Sequence, residues 1–120
     1  MKILIADDSR VMRQIVTRTL RQAGYDGHEL VEAADGQEAL DKAVSEKPDL
    51  VLSDWNMPHL TGVEVLRQLR ASGVQVPFGF VTSEGTPEMR QQAEAAGALF
   101  LVTKPFTADT FRDALDSILG

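Results

Sequence analysis

The sequence contains no cysteine, which excludes disulfide bonds, thiolate metal sites and cysteine catalysis. No apolar run reaches the roughly 18 residues that a membrane span needs. The apolar start, Met1–Ala6, meets Asp7 and Asp8 too early for a signal peptide. The formal net charge of -6 argues against a nucleic-acid binder, which needs a basic face. These absences predict a cytoplasmic protein with no membrane insertion and no nucleic-acid partner.

The composition that remains is that of an ordinary globular protein. The length of 120 residues suits one domain, and a hydrophobic fraction of 43% is enough for a core. No linker, internal repeat or low-complexity segment divides the chain. We therefore expect residues 1–120 to form a single domain.

Short apolar runs recur along the chain and are typical of buried strands. They are Ile3–Ala6, Glu29–Ala33, Leu50–Ser53, Phe78–Thr82 and Leu99–Val102. Most are almost continuously apolar, as expected where helices cover both faces of a parallel sheet. The second run contains glutamates and is more typical of an edge strand.

Helical patterns with start and stop signals fill the intervals between these runs. The first helix is expected from about Ser9 to Ala23. The other helix starts are marked by the capping-box pairs Asp35–Glu38 and Thr61–Glu64 and by Thr86–Pro87. C-terminal caps are expected at Gly24, Gly73 and Gly97. The last helix has its apolar face at Phe111, Ala114, Leu115 and Ile118.

Five strand–helix units in succession indicate an α/β protein. Short right-handed connections predict a doubly wound (βα)5 sandwich around a five-stranded parallel sheet. In such sheets, ligands bind beyond the carboxyl ends of the strands. The residues that follow each strand are therefore the candidates for chemistry.

Acidic residues follow two of the predicted strands. A single aspartate at a strand end more often caps a helix or faces water. Here Asp7 and Asp8 follow the first strand and Asp54 follows the third, so three carboxylates would crowd together and repel each other. A divalent cation relieves that repulsion, and an oxygen-only site with few ligands suits Mg²⁺.

A lysine and a hydroxyl complete the predicted edge. Lysines usually lie exposed, but Lys104 ends an apolar run, precedes Pro105 and is a natural point-charge binder of phosphate. The Lys104–Pro105 bond is a candidate cis peptide. Thr82 either simply ends its strand or contacts phosphoryl oxygens. Because Asp54 can carry a phosphoryl group as an acyl phosphate, the residues predict metal-assisted phosphoryl transfer to a carboxylate.

The order Asp7–Asp8, Asp54, Thr82 and Lys104–Pro105 resembles the receiver domains of bacterial response regulators in two-component signalling. The segment Asp54–Pro58 is most similar to the stand-alone chemotaxis-type receivers. The resemblance covers essentially the whole chain. It implies a flavodoxin-like sandwich with strand order 2-1-3-4-5.

The resemblance also implies a role for each matching residue. Asp54 would be the phosphoacceptor, Thr82 and Lys104 would contact the phosphoryl oxygens, and Asp8, Asp54 and the Asn56 carbonyl would bind Mg²⁺, with Asp7 acting through water. Asn56 and Glu84 would tune autodephosphorylation, with a short-lived phosphoryl state expected. The domain would then catalyse only its own phosphorylation and dephosphorylation, and would not be an enzyme in the wider sense.

The partners implied are a histidine kinase or phosphotransfer protein as donor, and a target protein docking on the fourth helix, fifth strand and fifth helix. The domain itself would be a monomer. Many receivers carry a switching aromatic residue where this chain has Leu101. Signalling is therefore expected to run through the Thr82–Gly85 loop and the helix that begins near Thr86. Trp55 is either core or partly exposed beside the phosphorylation site.

The sequence leaves three alternatives to a single-domain receiver. A phosphatase of the haloacid-dehalogenase type usually has a second aspartate where this chain has Asn56. A pseudo-receiver usually loses part of the acidic cluster or the lysine, and both are present here. A longer regulator with a DNA-binding output is disfavoured, because the chain stops at Gly120, just after the last helix.

Overall fold

The apolar runs and amphipathic segments alternate along the chain as five strands and five helices. A computed structural model describes residues 1–25 and 27–119, and the side chains of residues 1–25 and 27–116. The strands are β1 (Lys2–Ala6), β2 (Glu29–Ala33), β3 (Leu50–Ser53), β4 (Phe78–Thr82) and β5 (Phe100–Thr103). The helices are α1 (Arg10–Gln22), α2 (Gly36–Ser45), α3 (Gly62–Ala71), α4 (Pro87–Ala96) and α5 (Ala108–Leu119).

The strands form one parallel sheet in the order β2-β1-β3-β4-β5. The predicted order and the edge position of β2 are both confirmed. In register, Ala6 of β1 lies beside Ser53 of β3, so the residues that follow these strands emerge at the same level. The strand order reverses between β1 and β3, which is where doubly wound sheets bind their ligands.

The core consists of two layers, one on each face of the sheet, because strand residues alternate between faces. Ile3 and Ile5 pack with residues of α1 and α5, whereas Leu4 packs with residues of α2, α3 and α4. The same alternation places Phe100 in the first layer and Leu101 in the second, as expected from their adjacency.

The fifth strand begins one residue later than predicted. Leu99, predicted to be its first residue, donates its N–H to the Phe78 carbonyl at 2.8 Å, but its side chain is 56% exposed. Gly97 ends α4 with a left-handed φ of 99°, and the residues after it lead back to the sheet before regular pairing starts. The strand therefore ends at Thr103, and Lys104 follows it directly.

The predicted helix starts are confirmed at Ser9, Asp35, Thr61 and Thr86, where each side chain accepts a backbone N–H of the first turn. Thr61 and Glu64 form a complete capping box, as predicted. The predicted Asp35–Glu38 box is wrong in its return bond, because the Glu38 carboxylate instead pairs with Lys42 at 3.0 Å. Left-handed glycines follow or cap the three predicted helix ends, at Gly24, Gly73 and Gly97. The Ile118 side chain lies outside the described residues.

Candidate functional site

Three carboxylates meet at the carboxyl edge of the sheet, as their places in the sequence predicted. Oxygens of Asp7, Asp8 and Asp54 all lie within 4.8 Å of one another. The pairing of β1 with β3 places them there, and the Asp54 N–H donates to the Ala6 carbonyl at 2.8 Å. Asp7 is buried, Asp54 is partly buried and Asp8 is exposed, so the cluster opens to solvent on the Asp8 side.

Asp7 is the most enclosed member of the cluster, with 4% of its surface exposed. Its Oδ1 accepts the Ser9 N–H at 2.9 Å, and its Oδ2 accepts the Lys104 ammonium at 3.1 Å. Its own N–H donates to the Ala33 carbonyl of β2 at 3.0 Å. These bonds satisfy both carboxylate oxygens and fix Asp7 as the floor of the site.

Asp54 is held in a similar way but stands nearer to solvent. Its Oδ1 accepts the Trp55 N–H at 2.7 Å, and its Oδ2 accepts the Lys104 ammonium at 3.2 Å. Burial raises the pKa of the Asp54 carboxyl above its ordinary value, and the neighbouring Asp7 charge raises it further. The Lys104 ammonium and the Trp55 N–H act against this rise, because both stabilise the ionised form.

Lys104 therefore bridges two of the three carboxylates. Its side chain is 16% exposed, and its backbone N–H donates to the Thr82 carbonyl at 2.8 Å, which extends the β4–β5 pairing by one residue. The peptide bond to Pro105 is cis. With its stem enclosed and its backbone fixed, the ammonium is directed into the site.

The remaining predicted residues lie around this centre. Thr82 is fully buried at the end of β4, and its hydroxyl accepts the Glu84 N–H at 3.4 Å. Glu84 and Asn56 are exposed on the loops that follow β4 and β3. Within the described residues, no hydrogen bond or ion pair joins either side chain to the carboxylate cluster. Asn56 shares a shallow groove with Asp8 at the mouth of the site.

Trp55 belongs to the core, although it directly follows Asp54. Only 8% of its surface is exposed, and its ring packs against that of Phe80 with centroids 4.9 Å apart. The alternative of partial exposure is therefore wrong. Its backbone N–H contacts Asp54, so the only tryptophan of the chain remains a reporter next to the site.

Sequence reasoning did not identify Arg13 of α1. Its Nη1 donates to the Asp7 backbone carbonyl at 2.6 Å, and its Nε donates to the Glu32 carboxylate at 2.9 Å. Only 13% of the Arg13 side chain is exposed. The one available signal was its place four residues after Ser9, the residue that caps the helix leading out of the acidic pair.

A second arginine ties the loop after β4 to the neighbouring strand. Arg90 of α4 donates through Nε to the Gly85 carbonyl at 3.2 Å and through Nη1 to the Leu101 carbonyl at 3.3 Å. A Cβ added to Gly85 would lie 2.5 Å from Thr103 Cγ2. The loop that begins at Thr82 is thus packed directly on β5 at Leu101 and Thr103.

The donor set fits a hard divalent cation. Three carboxylates can each present one oxygen to a common point, and among the residues that the structure describes no nitrogen or sulfur ligand belongs to the cluster. The Lys104 ammonium lies on the Asp7 and Asp54 side, whereas the exposed Asp8 borders the open side. A cation would therefore reach the cluster from the Asp8 side, without displacing the lysine from the interior.

Comparison with known proteins gives a consistent result. Residues 3–116 match the response regulator receiver domain family. The chain is 39% identical to the chemotaxis protein CheY-3 of Vibrio cholerae serotype O1, with 98% of this chain and 91% of that protein covered. It is 36% identical to a chemotaxis protein CheY homolog of Campylobacter jejuni, with 100% of this chain and 93% of that protein covered.

Solved structures agree with these relatives. The structure of the chemotaxis response regulator CheY4 of Vibrio cholerae superposes with a TM-score of 0.85 at 39% identity, covering 98% of both chains. A Francisella receiver domain superposes with a TM-score of 0.81 at 27% identity, covering 97% of this chain and 93% of that one. Among the described residues, none of the helices combines the length and apolar character that a membrane crossing requires.

Proposed function

We propose that this chain, which belongs to the response regulator receiver domain family, accepts a phosphoryl group on Asp54 with the help of Mg²⁺. As a receiver domain, it is a phosphoryl-accepting signalling module that works between a kinase or phosphotransfer partner and a downstream target. The assignment of roles to individual residues is our proposal. The observation that carries it is the position of Lys104, whose ammonium contacts both Asp7 and Asp54.

The phosphoryl transfer requires an ionised carboxylate and positive groups that neutralise the phosphoryl oxygens. An Asp54 oxygen forms a bond to phosphorus, while the bond between phosphorus and the donor's leaving atom breaks. Lys104 favours the ionised nucleophile and is placed to neutralise the phosphoryl oxygens as they approach. The Thr82 hydroxyl, at the end of the adjacent strand, is our candidate for a second contact to those oxygens.

The metal site of this proposal consists of Asp8, Asp54 and the backbone carbonyl of Asn56, with Asp7 acting through a water molecule. The bound cation would supply positive charge that lowers the repulsion between the carboxylates and the incoming phosphoryl group. Asp7 is already satisfied by Ser9 and Lys104, which suits an indirect role. The exposed Asp8 carboxylate borders the open side of the cluster, where a cation would enter.

We assign control of the lifetime of the phosphoryl group to two exposed loop residues, Asn56 and Glu84. Asn56 shares the groove at the mouth of the site with Asp8, and Glu84 donates its backbone N–H to the Thr82 hydroxyl, so these two are our candidates for controlling how water reaches the acyl phosphate. We infer a short-lived phosphoryl state and a domain that catalyses only its own phosphorylation and dephosphorylation. Turnover of an external phosphate ester would contradict this inference.

The chemotaxis relatives suggest where the signal goes. We propose a chemotaxis-type role, with a histidine kinase or phosphotransfer protein as donor and a target protein on the surface formed by α4, β5 and α5. The Arg90 bonds support this route, because they connect the loop after Thr82 to α4 and to β5 at Leu101. The same proposal takes residues 1–120 as one cytoplasmic, monomeric receiver domain with no nucleic-acid partner.

The direct test is the intact mass of the protein after incubation with acetyl phosphate, with Mg²⁺ or with a chelator. We expect one phosphoryl adduct, present only with Mg²⁺ and absent from Asp54→Asn. Asp41→Asn, which changes an exposed residue that bonds only Gln37 within the described structure, is the matched control and keeps the adduct. A wild type without an adduct, even at short times and low temperature, would favour a pseudo-receiver.

A further inference from the structure

The Arg13 side chain connects Asp7, the residue after β1, with Glu32 of β2 at the edge of the acidic cluster. One end of its guanidinium donates to the Asp7 carbonyl at 2.6 Å, and its Nε donates to Glu32 of β2 at 2.9 Å. The Arg13 side chain is 13% exposed and that of Glu32 is 53% exposed, so Glu32 supports the arginine from the solvent side. A planar guanidinium with donors on several edges can hold two acceptors at once, which an ammonium on a flexible stem does less well.

The Asp7 carbonyl belongs to the peptide unit that connects Asp7 to Asp8. Because that unit is planar, holding its oxygen also fixes the plane from which the Asp8 main chain departs. Asp7 has further anchors in Ser9, Lys104 and Ala33, whereas Asp8 is exposed and its carboxylate has no bond to another described residue. The direction of the Asp8 carboxylate therefore depends on the peptide that Arg13 holds.

We propose that Arg13, supported by Glu32, is a positioning residue of the phosphoryl-transfer site that fixes the Asp7–Asp8 peptide and so directs Asp8 toward the divalent cation. This inference rests on the proposed function of the cluster. The positioning effect of Arg13 on Mg²⁺ affinity is opposite to the effect of its charge. A cation near the cluster repels Mg²⁺, whereas a fixed Asp8 strengthens Mg²⁺ binding.

Arg13 differs from the other arginines of α1 in its burial and its contacts. Helix α1 contains four arginines and no acidic residue. Arg10, Arg18 and Arg21 are exposed, and within the described part of the chain they form no ion pair. Among the described contacts of these four arginines, Arg13 alone bonds a residue at the carboxyl edge of the sheet, so Arg18 provides a control of equal charge on the same helix.

The experiment measures the dissociation constant of Mg²⁺ by titration calorimetry for the wild type, Arg13→Lys, Arg13→Gln and Glu32→Gln, with Arg18→Gln as control. We expect both Arg13 variants to bind Mg²⁺ about tenfold more weakly, as is typical when a partner of a metal ligand is lost. Glu32→Gln, which retains a weaker bond, should lie between them and the wild type. Arg18→Gln should bind as tightly as the wild type or slightly more tightly.

A second readout needs no metal. The ¹⁵N order parameter of the Asp8 amide in the metal-free protein should fall in both Arg13 variants and stay unchanged in Arg18→Gln. The inference is overturned if Arg13→Lys behaves like the wild type while Arg13→Gln binds Mg²⁺ more tightly, since charge alone would then explain the effect. It is equally overturned if the Asp8 order parameter does not change.

Different results would contradict the proposed function and the proposed role of Arg13. A wild type that binds no Mg²⁺ and takes up no phosphoryl group contradicts the proposed function itself. A wild type that does both, together with Arg13 variants that match it in Mg²⁺ affinity and in Asp8 order, contradicts only the role of Arg13. Glu32→Gln changes a half-exposed side chain, so it tests the inference even if an Arg13 variant does not fold.

Discussion

The Nζ atom of Lys104 lies 3.2 Å from Oδ2 of Asp54, although the two residues are 50 positions apart in the chain. The same ammonium contacts Asp7 Oδ2 at 3.1 Å. One positive charge therefore contacts two carboxylates, while Asp8 at the open side has no ion pair with another described residue. The Lys104 ammonium favours the ionised form of Asp54 against its burial, and the solvent side leaves room for further positive charge.

Replacing Lys104 by methionine should separate metal binding from phosphoryl transfer. Without the ammonium, the carboxylates attract Mg²⁺ more strongly, and we expect an affinity about tenfold higher, the scale of one opposite charge at this distance. Phosphoryl uptake from acetyl phosphate should nevertheless slow, because the phosphoryl oxygens lose their fixed cation. Calorimetry measures the Mg²⁺ affinity, and the time course of intact mass measures the rate of phosphoryl uptake.

Lys47→Met is the control for that experiment. Lys47 is exposed, and its side chain has no hydrogen bond or ion pair with another described residue, so its loss should change neither Mg²⁺ affinity nor phosphoryl uptake. If Lys104→Met bound Mg²⁺ no more tightly than the wild type, the ammonium would not contribute to the charge balance of the site.

The raised pKa of Asp54 predicts how stability depends on pH. A carboxyl whose folded pKa lies above its unfolded value of about 3.9 favours folding only while it is protonated, so its ionisation costs stability. That cost appears as the pH rises through the two pKa values and is constant above them. In a chelator, Asp54→Asn should therefore unfold at a higher urea concentration than the wild type at pH 7.

The difference between the two proteins should shrink as the pH falls toward the unfolded pKa of about 3.9. Denaturant curves at several pH values measure it. A stability difference between wild type and variant that does not depend on pH would contradict the pKa shift and assign the effect to packing.

Gly62 should be intolerant of a side chain because it borders the strand that carries Asp54. A Cβ at this position would lie 2.2 Å from the Asp54 carbonyl and 2.8 Å from the Phe80 ring. We expect Gly62→Ala to cost about 1–3 kcal/mol in the free energy of unfolding. Because the Asp54 backbone has to shift, the variant should also bind Mg²⁺ more weakly than the wild type.

Gly73→Ala tests whether such a change is specific to the site. Gly73 has a φ of 82° and open space around it, so alanine there should cost roughly 1–2 kcal/mol through backbone strain alone. Its Mg²⁺ affinity should be that of the wild type. Equal Mg²⁺ affinities in the two variants would contradict the proposed effect of Gly62 on the site.

Arg90 provides a test of how the signal leaves the site. Its two bonds hold the Gly85 carbonyl and the Leu101 carbonyl together in the unphosphorylated protein. Their loss in Arg90→Met should favour any state in which the loop moves away from β5. We expect this variant to bind beryllofluoride, a stable phosphoryl analogue, about fivefold more tightly, equivalent to roughly 1 kcal/mol of hydrogen bonding.

Arg67→Met, a change at an exposed arginine of α3, should leave beryllofluoride affinity unchanged. Hydrogen exchange at the Gly85 amide should rise in Arg90→Met and not in the control. Unaltered exchange and affinity in Arg90→Met would mean that the loop is held by other contacts.

Much of the fold follows from periodicity alone. The run Leu50–Ser53 is apolar throughout because both faces of its strand are covered, and its bounds are those predicted. The start of β5 could not be placed, because the exposed Leu99 is as apolar as the strand residues that follow it. An apolar residue is buried in most cases, but its apolar character does not indicate where the pairing of a strand with its neighbour begins.

The candidate site likewise has some features that could be predicted from the sequence and others that could not. Asp7, Asp8, Asp54 and Lys104 could be placed together from sequence, since each directly follows a strand of a parallel sheet. Arg13 could not, because its role depends on a side chain reaching backward from a helix to a backbone carbonyl. Nor could the burial of Trp55, which depends on the packing of its ring against Phe80.

The most direct test of the central claim is to locate the phosphoryl group chemically. Borohydride attacks the carbonyl of an acyl phosphate, displaces phosphate and reduces the aspartate to homoserine, which peptide mass spectrometry then identifies. After incubation with acetyl phosphate and Mg²⁺, we predict homoserine at position 54 and at no other aspartate. Homoserine at position 8, or at none of the aspartates of a protein that does bind Mg²⁺, would contradict the assignment of Asp54 as the phosphoacceptor.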